Sequence, residues 1–235
     1  PNLIAGVFPP IGEEGCMIFL PEDPDVMPGP DCVYGDVDAE TTIVLAGGSH
    51  IEPFVIPLDA LGKEHHFKVA AFVRQECPLV VGGPDDPANE IVSPVCAEWG
   101  ENALRAIIDM GPDMIISTST RPAGHAGDGI VSADYVPDAY TNLWQRLAEL
   151  GIPFVGLRDN PWMFNPDGDP MDPNLCIVMG YPDYACSMAA DMVYAQEDPA
   201  SYFLDGDLAQ WEIDTSGWYC VDGICPPQIG NVYIY

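Results

Sequence analysis

Ser49 is the residue of this chain best placed to do chemistry. It falls within Thr41 to Pro53, Thr-Thr-Ile-Val-Leu-Ala-Gly-Gly-Ser-His-Ile-Glu-Pro, an apolar, β-branched run that stops on two glycines and leads into a helical pattern. In an open α/β sheet the carboxyl end of a strand borders the ligand crevice, and the following helix presents unpaired backbone N–H groups there. A hydroxyl at that point can attack a carbonyl while adjacent amides hold the oxyanion. The alternative is a serine that only caps the helix it precedes.

Further candidates belong at the carboxyl ends of neighbouring strands. Ser117-Thr118-Ser119-Thr120-Arg121 follows a third apolar run. There Thr118 or Ser119 can donate to an oxyanion and Arg121 can stabilise negative charge or bind an acceptor, with a helix-capping cluster as the alternative. Gly82 and Gly83 follow the second run and offer either a backbone amide or a simple turn. Trp162 and Phe164 follow the fourth and form either an apolar wall for an acyl chain or sugar ring, or packing beneath a loop.

The histidines carry less. His50 adjoins Ser49, but neighbouring side chains on a turn usually diverge, which disfavours His50 as its general base. His125 lies in a glycine-rich loop, and His65 and His66 precede the second strand at its far end. Asn165 to Asp172 imitates a calcium loop but lacks the bidentate Glu at the twelfth position and is interrupted by two prolines, so it reads as a solvated acidic loop. No metal or organic cofactor is expected.

The elements that must position these residues alternate. Ile43 to Ala46 reads as a buried strand, Pro53 to Lys63 as a helix, Phe67 to Val73 as a strand and Cys96 to Met110 as a helix ending at Gly111-Pro112. Met114 to Ser117, a helix over Tyr135 to Leu150, and a strand over Pro153 to Leu157 continue the series. Met188 to Tyr194 reads as helical, Gln210 to Asp214 as extended and Tyr219 to Pro227 as a pinned loop. Such alternation predicts a parallel sheet covered on both faces.

Composition narrows the class. The 235 residues, 48% of them apolar, suffice for one substantial core. Seven Lys and Arg stand against 37 acids, a net charge of −30, so phosphate backbones and anionic membranes are repelled and nucleic acid binding is excluded. Eight cysteines without zinc spacing argue for disulfides and an oxidising compartment, although sequence alone leaves their connectivity open. No run is apolar and long enough to cross a bilayer.

Gly47-Gly48-Ser49-His50 resembles the Gly-Asp-Ser-His block of the SGNH hydrolases. With Cys32-Val33-Tyr34-Gly35-Asp36, Glu76-Cys77-Pro78, Cys96, Trp99, Cys225-Pro226 and Val232-Tyr233-Ile234-Tyr235, most of the chain resembles the extracytoplasmic SGNH domain fused to membrane acyltransferases of family three. That resemblance implies a three-layer α/β/α, flavodoxin-like fold over residues 32–235, preceded by a Pro-rich linker over 1–31. It implies the pairs Cys16–Cys32, Cys77–Cys96, Cys176–Cys186 and Cys220–Cys225. It also implies an O-acyltransferase that moves an acyl group, typically acetyl, through an ester on Ser49 to a cell-envelope glycan or glycolipid. The implied partner is an N-terminal integral membrane domain of the same polypeptide.

Three departures qualify the match. Gly48 replaces the family's aspartate, and no asparagine follows the third strand. The family's catalytic Asp-x-x-His is expected after Tyr235, making 32–235 a C-terminally truncated domain. The other readings of the same residues are a carbohydrate esterase and a degenerate, glycan-binding module.

Overall fold

The structure, a computed structural model, describes residues 10–19, 23–122, 133–163, 173–230 and 232–233. Phe164, His125 and the Asn165–Asp172 loop lie outside the described residues.

A seven-stranded sheet forms the middle layer. Its strands are β1 (Met17–Ile18), β2 (Val33–Gly35), β3 (Thr42–Gly47), β4 (Lys68–Arg74), β5 (Met114–Thr118), β8 (Phe154–Leu157) and β10 (Gln210–Ile213); β6 (Arg121–Pro122) and β7 (Asp134–Tyr135) form a separate antiparallel ribbon. The order is β1-β4-β3-β5-β8-β10, all parallel, with β2 antiparallel on the same edge of β4 as β1. Counting the five longer strands in chain order gives 2-1-3-4-5, the flavodoxin-like order, whose direction reverses between β3 and β5. Ser49 follows β3 at that reversal.

The period of two along β3 divides its side chains between two cores. Val44 and Ala46 join the cluster beneath α3 (Pro94–Met110) and α4 (Asp138–Leu150), while Leu45 joins the one beneath α2 (Val55–His65). Both clusters are buried, so the layering expected from the alternating elements is present. α3 shows why it forms where it does: Ser93 caps it by accepting from the Cys96 amide at 3.2 Å, Pro94 opens it, Trp99, Ala103, Leu104 and Ile107 make its buried stripe, and Gly111 ends it at φ 66°.

Several boundaries differ from expectation. α4 begins at Asp138, not Tyr135, because Pro137 disfavours helix in the residue before it, and Tyr135 joins a strand instead. Met188–Ala189 is a strand, β9, before the short helix α6 (Ala190–Val193); it pairs with β11 (Ile224–Cys225). The stretch before Asp31, expected as a linker, supplies β1, and Cys16 at its start is bridged to Cys32. All four disulfides pair as the resemblance implies: Cys16–Cys32, Cys77–Cys96, Cys176–Cys186 and Cys220–Cys225. Among the described residues no helix is long and apolar enough to cross a membrane.

Candidate functional site

β3 reaches its end at Gly47 with φ 145°, a conformation that side chains disfavour; a Cβ there would also lie 3.4 Å from the Ser117 hydroxyl. Gly48 is different. Its φ lies outside the left-handed region, and a Cβ would make ordinary contact with the Cys77 backbone at 3.6 Å. Ser49 and His50 then form a tight turn, closed by bonds from the Ile51 amide to Gly48 (3.2 Å) and from the Glu52 amide to Ser49 (3.3 Å). Glu52, 6% exposed, opens the helical stretch, and burial pushes its carboxyl up to about 7.

His50 reaches over the end of β5 to β8. Its Nδ1 lies 2.8 Å from Oδ1 of Asp159, which follows that strand. Oδ2 of Asp159 accepts from Nε1 of Trp162 at 2.8 Å, and the His50 and Trp162 rings stand 4.9 Å apart. The Arg121 guanidinium lies 6.0 Å from the Trp162 ring centre. Ser49's turn, His50, Asp159, Trp162 and Arg121 are thus brought together, although they come from three separate stretches of chain.

Asp159 is held by its backbone as well. Its amide donates to the Thr120 hydroxyl at 3.1 Å, and its carbonyl accepts from the Tyr194 hydroxyl at 2.9 Å. Burial and the nearby Asp159 carboxylate raise the Tyr194 phenol well above its ordinary value, so it stays a donor. Beneath, the buried Arg158 guanidinium forks onto Asp134 (2.8 and 3.0 Å), reaches Asp214 at 3.2 Å and the Ala195 carbonyl at 2.8 Å, and lies 4.6 Å from the Tyr194 ring centre. A planar five-donor cation suits such a crossing of chains.

The remaining candidates are spread out. The Ser119 hydroxyl is fully buried and donates to Glu212 at 2.5 Å, so it faces β10. Burial pushes the Glu212 carboxyl up to about 9, with Asp198 adding to the rise. Thr118 bonds the buried Tyr140 hydroxyl. The Gly82 amide donates to the Glu101 carboxylate in a groove between α3 and α4, also lined by Arg105, Gln145 and Glu149, so it is spent on the helical flank. His66 pairs with Asp36 at 2.8 Å at the opposite end of the sheet. Among the described residues no group of three His, Cys, Asp or Glu is placed to hold a metal ion.

Asp159 and Tyr194 were not singled out from sequence. The available signal was position: Arg158-Asp159 directly follows the fourth strand, where a polar side chain enters the crevice.

The turn that bears Ser49 lies at the topological switch beside an imidazole held by a carboxylate, and four disulfides close the chain. No curated protein and no solved structure matches the chain. A family model described as SGNH domain (fused to AT3 domains) matches residues 16–235, and the chain belongs to that family.

Proposed function

We propose that this domain carries an acyl group on Ser49 between a donor delivered by the membrane acyltransferase domain and a hydroxyl of a cell-envelope glycan or glycolipid on the extracytoplasmic side. The observation that supports this reading is the position of Ser49, one residue before an imidazole bonded to a buried carboxylate, at the reversal of strand order. Oγ of Ser49 attacks the acyl carbonyl, its proton passes to an imidazole, and the bond to the donor's leaving group breaks. The acceptor hydroxyl then attacks the ester, gives up its proton and regenerates Ser49. Acetyl is the acyl group that the family resemblance favours.

The family resemblance assigns the imidazole to the His of an Asp-x-x-His rather than to His50. His50 then acts as a strut from β3 to β8, its Nδ1 committed to Asp159. One observation favours a second reading. A carboxylate on Nδ1 selects the tautomer whose Nε2 accepts a proton, as in acyl-transfer triads, which makes His50 itself the base.

Mass spectrometry of the full-length protein after mixing with p-nitrophenyl acetate tests both. An acetyl group on Ser49, absent in Ser49→Ala, is the expected result; acetylation elsewhere, or none, overturns the acyl-serine. His50→Gln acylating within about tenfold of wild type supports the strut, whereas a loss of about three or four orders of magnitude assigns the proton to His50. Release of acetate to water in preference to any sugar hydroxyl would make the domain an esterase.

A further inference from the structure

Trp218 leaves 55% of its surface exposed, on a stretch of backbone anchored at both ends. It lies on α7 (Ser216–Tyr219), a four-residue helix fixed at both ends. At the start, the fully buried Thr215 donates its hydroxyl to the Arg158 carbonyl at 2.5 Å, and the Ser216 amide donates to Asp214 at 2.9 Å. At the finish, Cys220 is bridged to Cys225. The ring is backed by Phe54 at 6.2 Å between centres, five residues after Ser49, while the neighbouring Tyr219 lies within the field of Asp159, which with burial pushes its phenol up to about 12. α7 therefore lies between Phe54, in the helical stretch that Glu52 opens, and Arg158, the residue before the carboxylate that holds His50.

A lone exposed aromatic is ordinary. This one sits on a backbone anchored at both ends, with its ring against Phe54 five residues after Ser49, so a ligand stacking on it loses little side-chain entropy. The C–H face of a pyranose is the complementary shape. The surroundings add a charge requirement: Asp214 is 48% exposed, the chain carries −30, and Arg158 is spent on two carboxylates. Carboxylates accept hydrogen bonds from sugar hydroxyls and repel acidic sugars.

We infer that Trp218, backed by Phe54 and pinned to the end of β8 through Thr215, is the stacking platform for a neutral pyranose ring of the acceptor. This rests on the acyl-transfer reading for the word acceptor, but ring binding is measurable without turnover. Saturation-transfer NMR on the full-length protein, with methyl β-D-glucopyranoside, methyl β-D-glucuronide and glycerol as probes, tests it. The neutral glycoside should bind with its ring C–H protons most strongly saturated, the glucuronide and glycerol more weakly. Trp218→Ala should weaken the glycoside about three- to tenfold, the range of an aromatic stacking contact, with Trp218→Phe in between and Trp218→Leu near Ala. Equal binding in wild type and Trp218→Ala overturns the inference, and so does glucuronide binding as tightly as the neutral ring. A melting temperature measured on each variant, with Trp218→Phe as the mildest change, separates lost stacking from a lost fold. If Ser49→Ala keeps full esterase activity while Trp218→Ala loses the ring, the acyl-serine falls and the platform stands. The opposite pattern removes the platform alone.

Discussion

Oδ1 of Asp159 lies 2.8 Å from Nδ1 of His50 across 109 positions of sequence, joining the residue after Ser49 to the end of β8. The same carboxylate also accepts from the Asn160 amide at 3.0 Å and from Trp162 at 2.8 Å. Three donors converge on one nearly buried side chain, so its charge organises the loop beyond the strand.

Replacing that carboxylate is therefore expected to be costly. Asp159→Ala removes the acceptor that these three groups share, a loss of about 1–3 kcal/mol in chemical denaturation. Asp159→Asn should lose less, since one oxygen still accepts, while presenting an NH2 group to another donor. An Asp159→Asn variant as destabilised as Asp159→Ala in the same denaturation experiment would contradict this assignment.

Gly48 and Gly47 should respond oppositely. Gly48→Asp, which restores the aspartate implied by the family resemblance, meets no forbidden φ, and its Cβ comes no closer than 3.6 Å to the Cys77 backbone, so the melting temperature should be unchanged or slightly higher. Gly47→Ala forces a side chain onto φ 145° and should cost about 1–3 kcal/mol. Thermal melts of the two variants side by side decide the matter.

The pH profile has a defined sign. Glu212 and Glu52 have ordinary values near 4.5, and burial raises them to about 9 and about 7 in the folded chain. A carboxyl whose folded value is raised is protonated in the native state, so its contribution is fully present below about 4.5. That contribution is lost as pH rises through about 7 for Glu52 and about 9 for Glu212. Stability should fall between pH 5 and 9. Glu212→Gln keeps an acceptor for Ser119 and removes the titration, so denaturation measured from pH 5 to pH 9 should show a shallower slope. An identical slope would mean that repulsion among the surface acids sets the profile.

Arg158→Met should be severe because Asp134, nearly buried, would lose its counter-charge: about 3–5 kcal/mol in urea denaturation. The double variant Arg158→Met with Asp134→Leu should recover part of that loss, and an additive double variant would refute the pairing.

What could be read from the sequence was local. The run Thr42–Gly47 announces itself by β-branched residues and two glycines, and α3 by its capping serine, apolar stripe and terminal glycine. The alternation of such elements sufficed for the layered parallel sheet, and the family resemblance supplied the disulfide pairs. What escaped was direction and distance. Ser117 to Thr120 reads as four equivalent polar residues, yet Thr118 turns to Tyr140, Ser119 to Glu212 and Thr120 to the Asp159 amide; β5 ends at Thr118, so strand alternation does not set where Ser119 and Thr120 point. His50 was set aside as a neighbour that diverges from Ser49; its actual partner lies two strands away, a pairing that only the sheet order creates.

The bridges also say something about how the chain can be made. Eight cysteines allow 105 connectivities, yet each cysteine here is joined to the next one along the chain, with separations of 16, 19, 10 and 5 residues. No bridge encloses or crosses another. A polypeptide that meets an oxidant amino end first can thus close every bond as soon as its second thiol emerges, and the pairing favoured by order of appearance is already the native one. Correct oxidation then asks for no reshuffling, and a stalled or shortened chain would carry complete bridges with at most one unpaired thiol.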